Sequence, residues 1–271
     1  MYIIFLVVLF GLLTFQVICS ALSEKKLKGV IFTEKMRCKD YITTMIFLWL
    51  YVIIILLMCF IGNIRLSDIG LRGMSFDYNI WFTVITLSVC GILICYLIYQ
   101  TITLIVSPKA REEAKELDTG EGASRILPHS KKEKGIFIFV CATAGICEEI
   151  VFRGFLVFLI HAIFPSLSII FVILISSLIF GCAHLYQGIV GILKTGAMGV
   201  LFNCLVVVSG SLILAIIMHF LVDFSSTFLF SDDKKEISEE KINEITEEGS
   251  EMSVERERLE EGSETTNGKM D

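Results

Sequence analysis

The chain has 271 residues, 55% of them hydrophobic and 19% charged, with a mean hydropathy of +0.76. A soluble domain carries about 25% charged residues, so this composition excludes an ordinary soluble protein. The net charge of −6 joins two unlike parts: residues 231–271 hold fifteen Asp/Glu and six Lys/Arg, whereas residues 1–230 hold fourteen and seventeen. Neither part has the clustered basic surface that nucleic acid requires, and no nucleic-acid partner is expected.

A helix needs about 20 apolar residues to cross the hydrocarbon core. Seven spans are predicted, at 1–22, 41–62, 79–106, 135–164, 167–187, 188–208 and 210–230. The fold class is therefore all-α, a polytopic transmembrane helix bundle. Span 1 lacks a basic leading region, and its apolar run is long for a signal peptide, so it reads as a retained anchor. The loop after it carries Lys25, Lys26, Lys28, Lys35, Arg37 and Lys39. The loop 63–78 has only Arg65 and Arg72, and the loop 107–134 again holds seven Lys/Arg. The positive-inside rule then puts the N-terminus outside and the C-terminus in the cytoplasm. Pro108, Pro128 and Pro165 fall in connections or at span edges, where a missing backbone donor does no harm. From Ser231 the chain is rich in Glu, Ser and Thr, too poor in apolar surface to fold, and is expected to be a disordered acidic tail. Three regions follow: N-terminal spans and loops at 1–134, core helices at 135–230 and the tail at 231–271.

Nine cysteines contain no C-x-x-C pair and lie mostly in apolar runs, as buried thiols that behave like small hydrophobes do. Charged residues are costly within a membrane helix, by at least ~2.5–3.5 kcal/mol on insertion scales. Those that occur there are the informative ones. Glu148, Glu149 and Arg153 lie in span 4, His184 ends span 5, and His219 and Asp223 lie in span 7. Glu149 and Arg153 are spaced i,i+4, as are His219 and Asp223, so each pair shares a helix face. Glu148 is turned away from its neighbour's pair. His161 near a span end reads as interfacial, Lys194 as snorkelling, and His129 in a polar loop is given no role.

If the three helices converge, one carboxylate and two imidazoles surround a space that a water could fill. Glu148 could act as general base with His184 orienting the water, while His219 and Asp223 support the oxygen that becomes negative. An anionic Asp223 cannot itself donate to that oxygen. Glu148, His184 and His219 could equally form a two-histidine, one-carboxylate site for a divalent metal such as zinc.

The strings Glu148-Glu149…Arg153, Phe180…His184 and His219…Asp223 resemble, in order, the E-E-x-x-x-R, F-x-x-x-H and H-x-x-x-[ND] signatures of the CPBP family. These are CAAX proteases and bacteriocin-processing enzymes, also called the ABI family. Asp68-Ile69-Gly70-Leu71-Arg72 is similar to a short segment often found between early spans of that family. The resemblance covers about 135–230. It implies an all-helical intramembrane endopeptidase, with Glu148 activating water and His184 assisting. His219 and Asp223 would support the oxyanion or place the water, and Glu149 and Arg153 would support the site. Asp223 stands where many members have Asn, which weakens a direct donor role. The resemblance also implies a peptide or lipidated protein as substrate, membrane lipids as surroundings, and the plasma membrane of a bacterium as location. The competing expectation is a non-catalytic membrane peptide-binding or immunity protein; a proton-relay transporter lacks the broken helices in matching halves that such proteins show.

Overall fold

The computed structural model describes residues 1–27, 33–117 and 127–229. Among these residues the fold is helical, without a strand. The helices are α1 (Tyr2–Leu27), α2 (Glu34–Gly62), α3 (Ile80–Val106), α4 (Pro108–Leu117), α5 (Lys131–Glu148), α6 (Val157–Ile163), α7 (Ile169–Ala183), α8 (Gly188–Ser209) and α9 (Ile213–Ser225). A π-helix, Glu149–Leu156, joins α5 to α6 without a break. The acidic tail, and Lys28 and Arg125 of the basic loops, lie outside the described residues.

Four stretches are long and apolar enough to cross a membrane: Glu34–Gly62, Ile80–Val106, Lys131–Ile163 and Leu185–Ser209. Shorter apolar helices, Tyr2–Ile18, Ile169–Ala183 and Ile213–Phe228, occupy the other three predicted positions. Large apolar side chains such as Phe60, Trp81, Ile92 and Leu193 point outward and are mostly exposed. In water such a surface would drive aggregation; against lipid it is the expected exterior. The protein is an integral membrane protein.

Side-chain caps set the helix edges. Thr33 Oγ1 accepts from Met36 N, so α2 starts well before residue 41. Asn79 Oδ1 accepts from Phe82 N at the start of α3. Ser130 and Glu133 form a reciprocal capping box that starts α5 at Lys131. Glu133 is fully buried and also accepts from Arg37 Nε at 2.8 Å, which ties the first turn of α2 to that of α5. Arg37, a loop charge in the sequence reading, is thus a buried clamp.

Met1–Phe230 form one compact unit. One core joins Phe5 and Leu9 of α1, Val52 and Ile55 of α2, Phe155 and Leu156 of the π-helix, and Val172 and Phe180 of α7. Through Cys90, α3 packs on Phe202 and Leu205 of α8 and Met218 of α9. Lipid offers no hydrophobic gain for helix association, so close backbone approach matters more. A Cβ on Gly145 would lie 3.2 Å from Ile216 O and 3.3 Å from Phe220 N, so α5 and α9 pack nearly backbone to backbone there.

The 63–78 connection is folded. A 3-10 turn, Leu66–Ile69, ends at Gly70, and Ile69 is buried against the core. Leu212 N donates to Gly70 O at 3.0 Å and Ser75 N to Ser209 O at 2.8 Å. Ser211 Oγ donates to Arg72 O at 2.6 Å, and Arg72 Nε donates to Gly210 O. The Ile69–Arg72 segment therefore staples the turn between α8 and α9, the turn from which His219 is positioned. It also covers Gly154, where a Cβ would fall 2.7 Å from Ile69 O.

Candidate active site

The six polar residues singled out in sequence come together. Glu149 lies at the centre, with no exposed side-chain surface, and its Oε1 takes two partners: Arg153 Nη1 at 2.9 Å and His219 Nδ1 at 2.8 Å. The pairing of Glu149 with Arg153 is thus as the i,i+4 spacing predicts. Pairing of His219 with Glu149 across two helices is not legible in spacing; it depends on the close approach of α5 and α9 at Gly145.

Arg153 is buried, and its guanidinium carbon lies 3.9 Å from the centre of the Phe180 ring and 5.2 Å from that of Phe202. Two aromatic faces thereby take the place of water around the cation. Phe202 also stands against the His219 ring, with centroids 5.3 Å apart. The sequence reading gave Phe180 no role beyond its motif and missed Phe202, because an aromatic in an apolar span carries no mark of being a site residue. The π-helix was also missed. Its wide turns leave backbone carbonyls seeking partners, and Ser176 Oγ of α7 donates to Phe152 O at 2.9 Å. Asn203 of α8 donates to Ser177 Oγ at 3.1 Å and to Gly199 O, which fastens α7 to α8.

Glu148 faces a different set. Its Oε2 is 3.8 Å from His184 Nε2 and 3.9 Å from His219 Nε2, buried, and without a hydrogen-bond partner among the described residues. Asp223 Oδ2 lies 3.6 Å from the same His219 Nε2. Side-chain exposure rises from 0% at Glu149 and Arg153, through 14% at Glu148 and 15% at His184, to 33% at Asp223. The cluster thus has a closed, ion-paired floor and an open side at Asp223.

Hydrogen-bond chemistry fixes two ring edges. A carbonyl can only accept, so His184 Nδ1, 2.8 Å from Phe180 O, carries its proton there. Its Nε2 then presents a lone pair towards Glu148 in the neutral ring. Glu149, already paired with Arg153, accepts from His219 Nδ1. The active edge of each imidazole is therefore Nε2, and both face Glu148 Oε2.

Two imidazole nitrogens and a carboxylate oxygen are donors that zinc takes. Ligands about 2.0–2.1 Å from a tetrahedral ion sit about 3.4 Å from one another, closer than the separations from Glu148 here. Among the described residues no group of three His, Cys, Asp or Glu is arranged to hold an ion. As placed, these residues do not fit a metal, and no step below passes through one.

Residues 132–225 match the family model of the Rce1-like proteins, described as type II CAAX prenyl endopeptidase Rce1-like. All six site residues fall inside that stretch. No curated protein and no solved structure matches the chain.

Proposed function

We propose that the protein is an intramembrane endopeptidase that hydrolyses a peptide bond with water activated by Glu148, a reading supported by the match of residues 132–225 to the type II CAAX prenyl endopeptidase Rce1-like family model. The observation that carries this reading is that Glu148 Oε2, buried and without a hydrogen-bond partner among the described residues, is faced by the Nε2 edges of two imidazoles. A buried polar atom so placed calls for one more hydrogen-bonding partner, and a water bound there would meet a base and two orienting groups.

Glu148 takes a proton from the water, and His184 Nε2 holds the water's other hydrogen. The hydroxide oxygen bonds to the carbonyl carbon, and the carbonyl oxygen becomes negative. His219 has one proton held by Glu149 on Nδ1; with a second on Nε2, next to Asp223, that N–H is a donor for the negative oxygen. Glu148 then passes its proton to the amide nitrogen, the C–N bond breaks, and a carboxylic acid and an amine leave. Glu149 and Arg153 do not touch the substrate in this scheme: they hold His219 in its tautomer and direction. General-base catalysis of this kind contributes about 10²–10⁴-fold.

The substrate class we favour is a prenylated or otherwise membrane-associated peptide or protein. An apolar groove between α7 and α8, lined by Leu174, Leu178, Ile192 and Val200, includes Gly181, three residues before His184. It offers a lipid chain a place beside the site. The proposed setting is a bacterial plasma membrane, with the acidic tail in the cytoplasm. The test is cleavage of a quenched fluorogenic prenylated peptide by detergent-purified protein, wild type against Glu148→Gln. Cleavage by the wild type alone supports the reading; equal rates sink it. Tight peptide binding without cleavage by either would instead favour a non-catalytic binding protein.

A further inference from the structure

Attack on a carbonyl needs donors for the oxygen that becomes negative, and this site is short of them. His184 has its N–H turned to Phe180 O, and Asp223 and Glu148 are carboxylates. His219 can offer one N–H at most, because the other goes to Glu149. A well-built oxyanion site presents more than one preorganised donor.

Tyr186 meets that need. It lies two residues after His184, on the 3-10 turn Leu185–Gln187 that closes α7. Its ring is 5.8 Å from that of His184, whose Nε2 in turn lies 3.8 Å from Glu148 Oε2. The phenolic oxygen accepts from Gln187 Nε2 at 3.0 Å, and Gln187 Oε1 accepts in turn from Thr195 Oγ1 at 3.4 Å. The oxygen is thereby anchored to α8, while among the described residues the phenolic hydrogen has no acceptor assigned to it. The turn itself depends on Gly188, whose φ of 74° and ψ of −178° are open essentially to glycine alone. Tyr186 is thus held by the turn, half-buried beside His184, with a hydrogen to give.

We propose that Tyr186 is a catalytic residue that donates its phenolic hydrogen bond to the carbonyl oxygen of the scissile peptide as negative charge develops there. No proton is transferred in this role; the bond strengthens as the oxygen gains charge and relaxes when the amine leaves. The inference rests on the proteolytic reading above.

The experiment uses the full chain in detergent and compares wild type, Tyr186→Phe and Glu148→Gln. Losing one oxyanion donor costs about 10²–10³-fold in kcat, and that loss is expected for Tyr186→Phe with KM nearly unchanged. A second readout covers a folding defect: binding of a peptide phosphinate, whose tetrahedral oxygens mimic the attacked carbonyl, set against binding of uncleaved peptide on the Glu148→Gln background. Tyr186→Phe should weaken the phosphinate and leave the peptide alone. Retention of kcat within twofold overturns the inference, and so does equal weakening of both ligands. If the wild type cuts, Glu148→Gln is dead and Tyr186→Phe is fully active, only the role of Tyr186 fails. A wild type that does not cut overturns both readings.

Discussion

His219 Nδ1 lies 2.8 Å from Glu149 Oε1, on a carboxylate that also holds Arg153 Nη1 at 2.9 Å. One oxygen thus joins a cation on its own helix to an imidazole on another. The ring cannot flip without breaking that bond deep in the protein, so its Nε2 edge stays turned towards Glu148 and Asp223. The two adjacent glutamates therefore have unlike tasks. Each has one buried oxygen without a hydrogen-bond partner among the described residues, but the other oxygen of Glu149 is tied to Arg153 and His219, whereas Glu148 faces the Nε2 edges of both imidazoles.

That division predicts opposite signatures for two neighbouring substitutions. Glu148→Gln should lower peptide cleavage by about 10²–10⁴-fold, the worth of a general base. Its melting temperature in detergent should stay close to wild type, since Glu148 Oε2 gives up no hydrogen bond. A large loss of stability would place Glu148 in the framework rather than the chemistry.

Glu149→Ala should do the reverse. It leaves Arg153 buried without its carboxylate, and breaking a buried pair from one side costs about 3–5 kcal/mol. Poor expression and a marked fall in melting temperature are expected, measured beside Glu148→Gln. A Glu149→Ala protein as stable as wild type would show that the two aromatic rings alone hold the cation.

Asp223→Asn should keep near wild-type cleavage, because an amide oxygen can still meet His219 Nε2 from the same position. Asp223→Ala removes that partner and should slow cleavage about tenfold, or ~1.4 kcal/mol of barrier. Steady-state kinetics of the two variants decide it; an inactive Asn variant would mean that the negative charge itself is required.

Treatment with a zinc chelator, followed by removal of the chelator, should leave the cleavage rate unchanged. Glu148 Oε2 lies 3.8 and 3.9 Å from the two Nε2 atoms, wider than the about 3.4 Å between the ligands of a tetrahedral ion, and among the described residues no three-ligand group is present. Inactivation reversed by added zinc would overturn that geometry.

Gly154→Ala should destabilise the protein by about 1–3 kcal/mol, the usual cost of overpacking. Its Cβ would meet a backbone carbonyl, that of Ile69, at 2.7 Å, and backbone cannot rotate away as a side chain can. A thermal melt in detergent measures this. An unchanged melt would mean that the Ile69–Arg72 staple gives way easily and does not fix the turn before α9.

Much of this protein was legible along the chain because the membrane imposes a one-dimensional rule. A spanning helix must satisfy its own backbone and present apolar side chains to lipid. Apolar runs therefore mark the seven helices, and Glu148, Glu149, Arg153, His184, His219 and Asp223 stand out as charges where charge is costly. The i,i+4 pairing of Glu149 with Arg153 needs only helix geometry, so it too was readable. The sequence by itself thus determined the class of fold and the identity of the polar cluster.

The tertiary structure alone decided that Glu149 also takes His219. Spacing leaves His219 equally able to serve Asp223 or a distant partner. The choice of Glu149 follows from the approach of α5 and α9 at Gly145, a contact between residues more than seventy positions apart. The aromatic faces around Arg153, the Arg37–Glu133 clamp and the placing of Tyr186 share that origin. Each depends on where two separate helices meet, and apolar or lone charged residues carry no local pattern that encodes the meeting point.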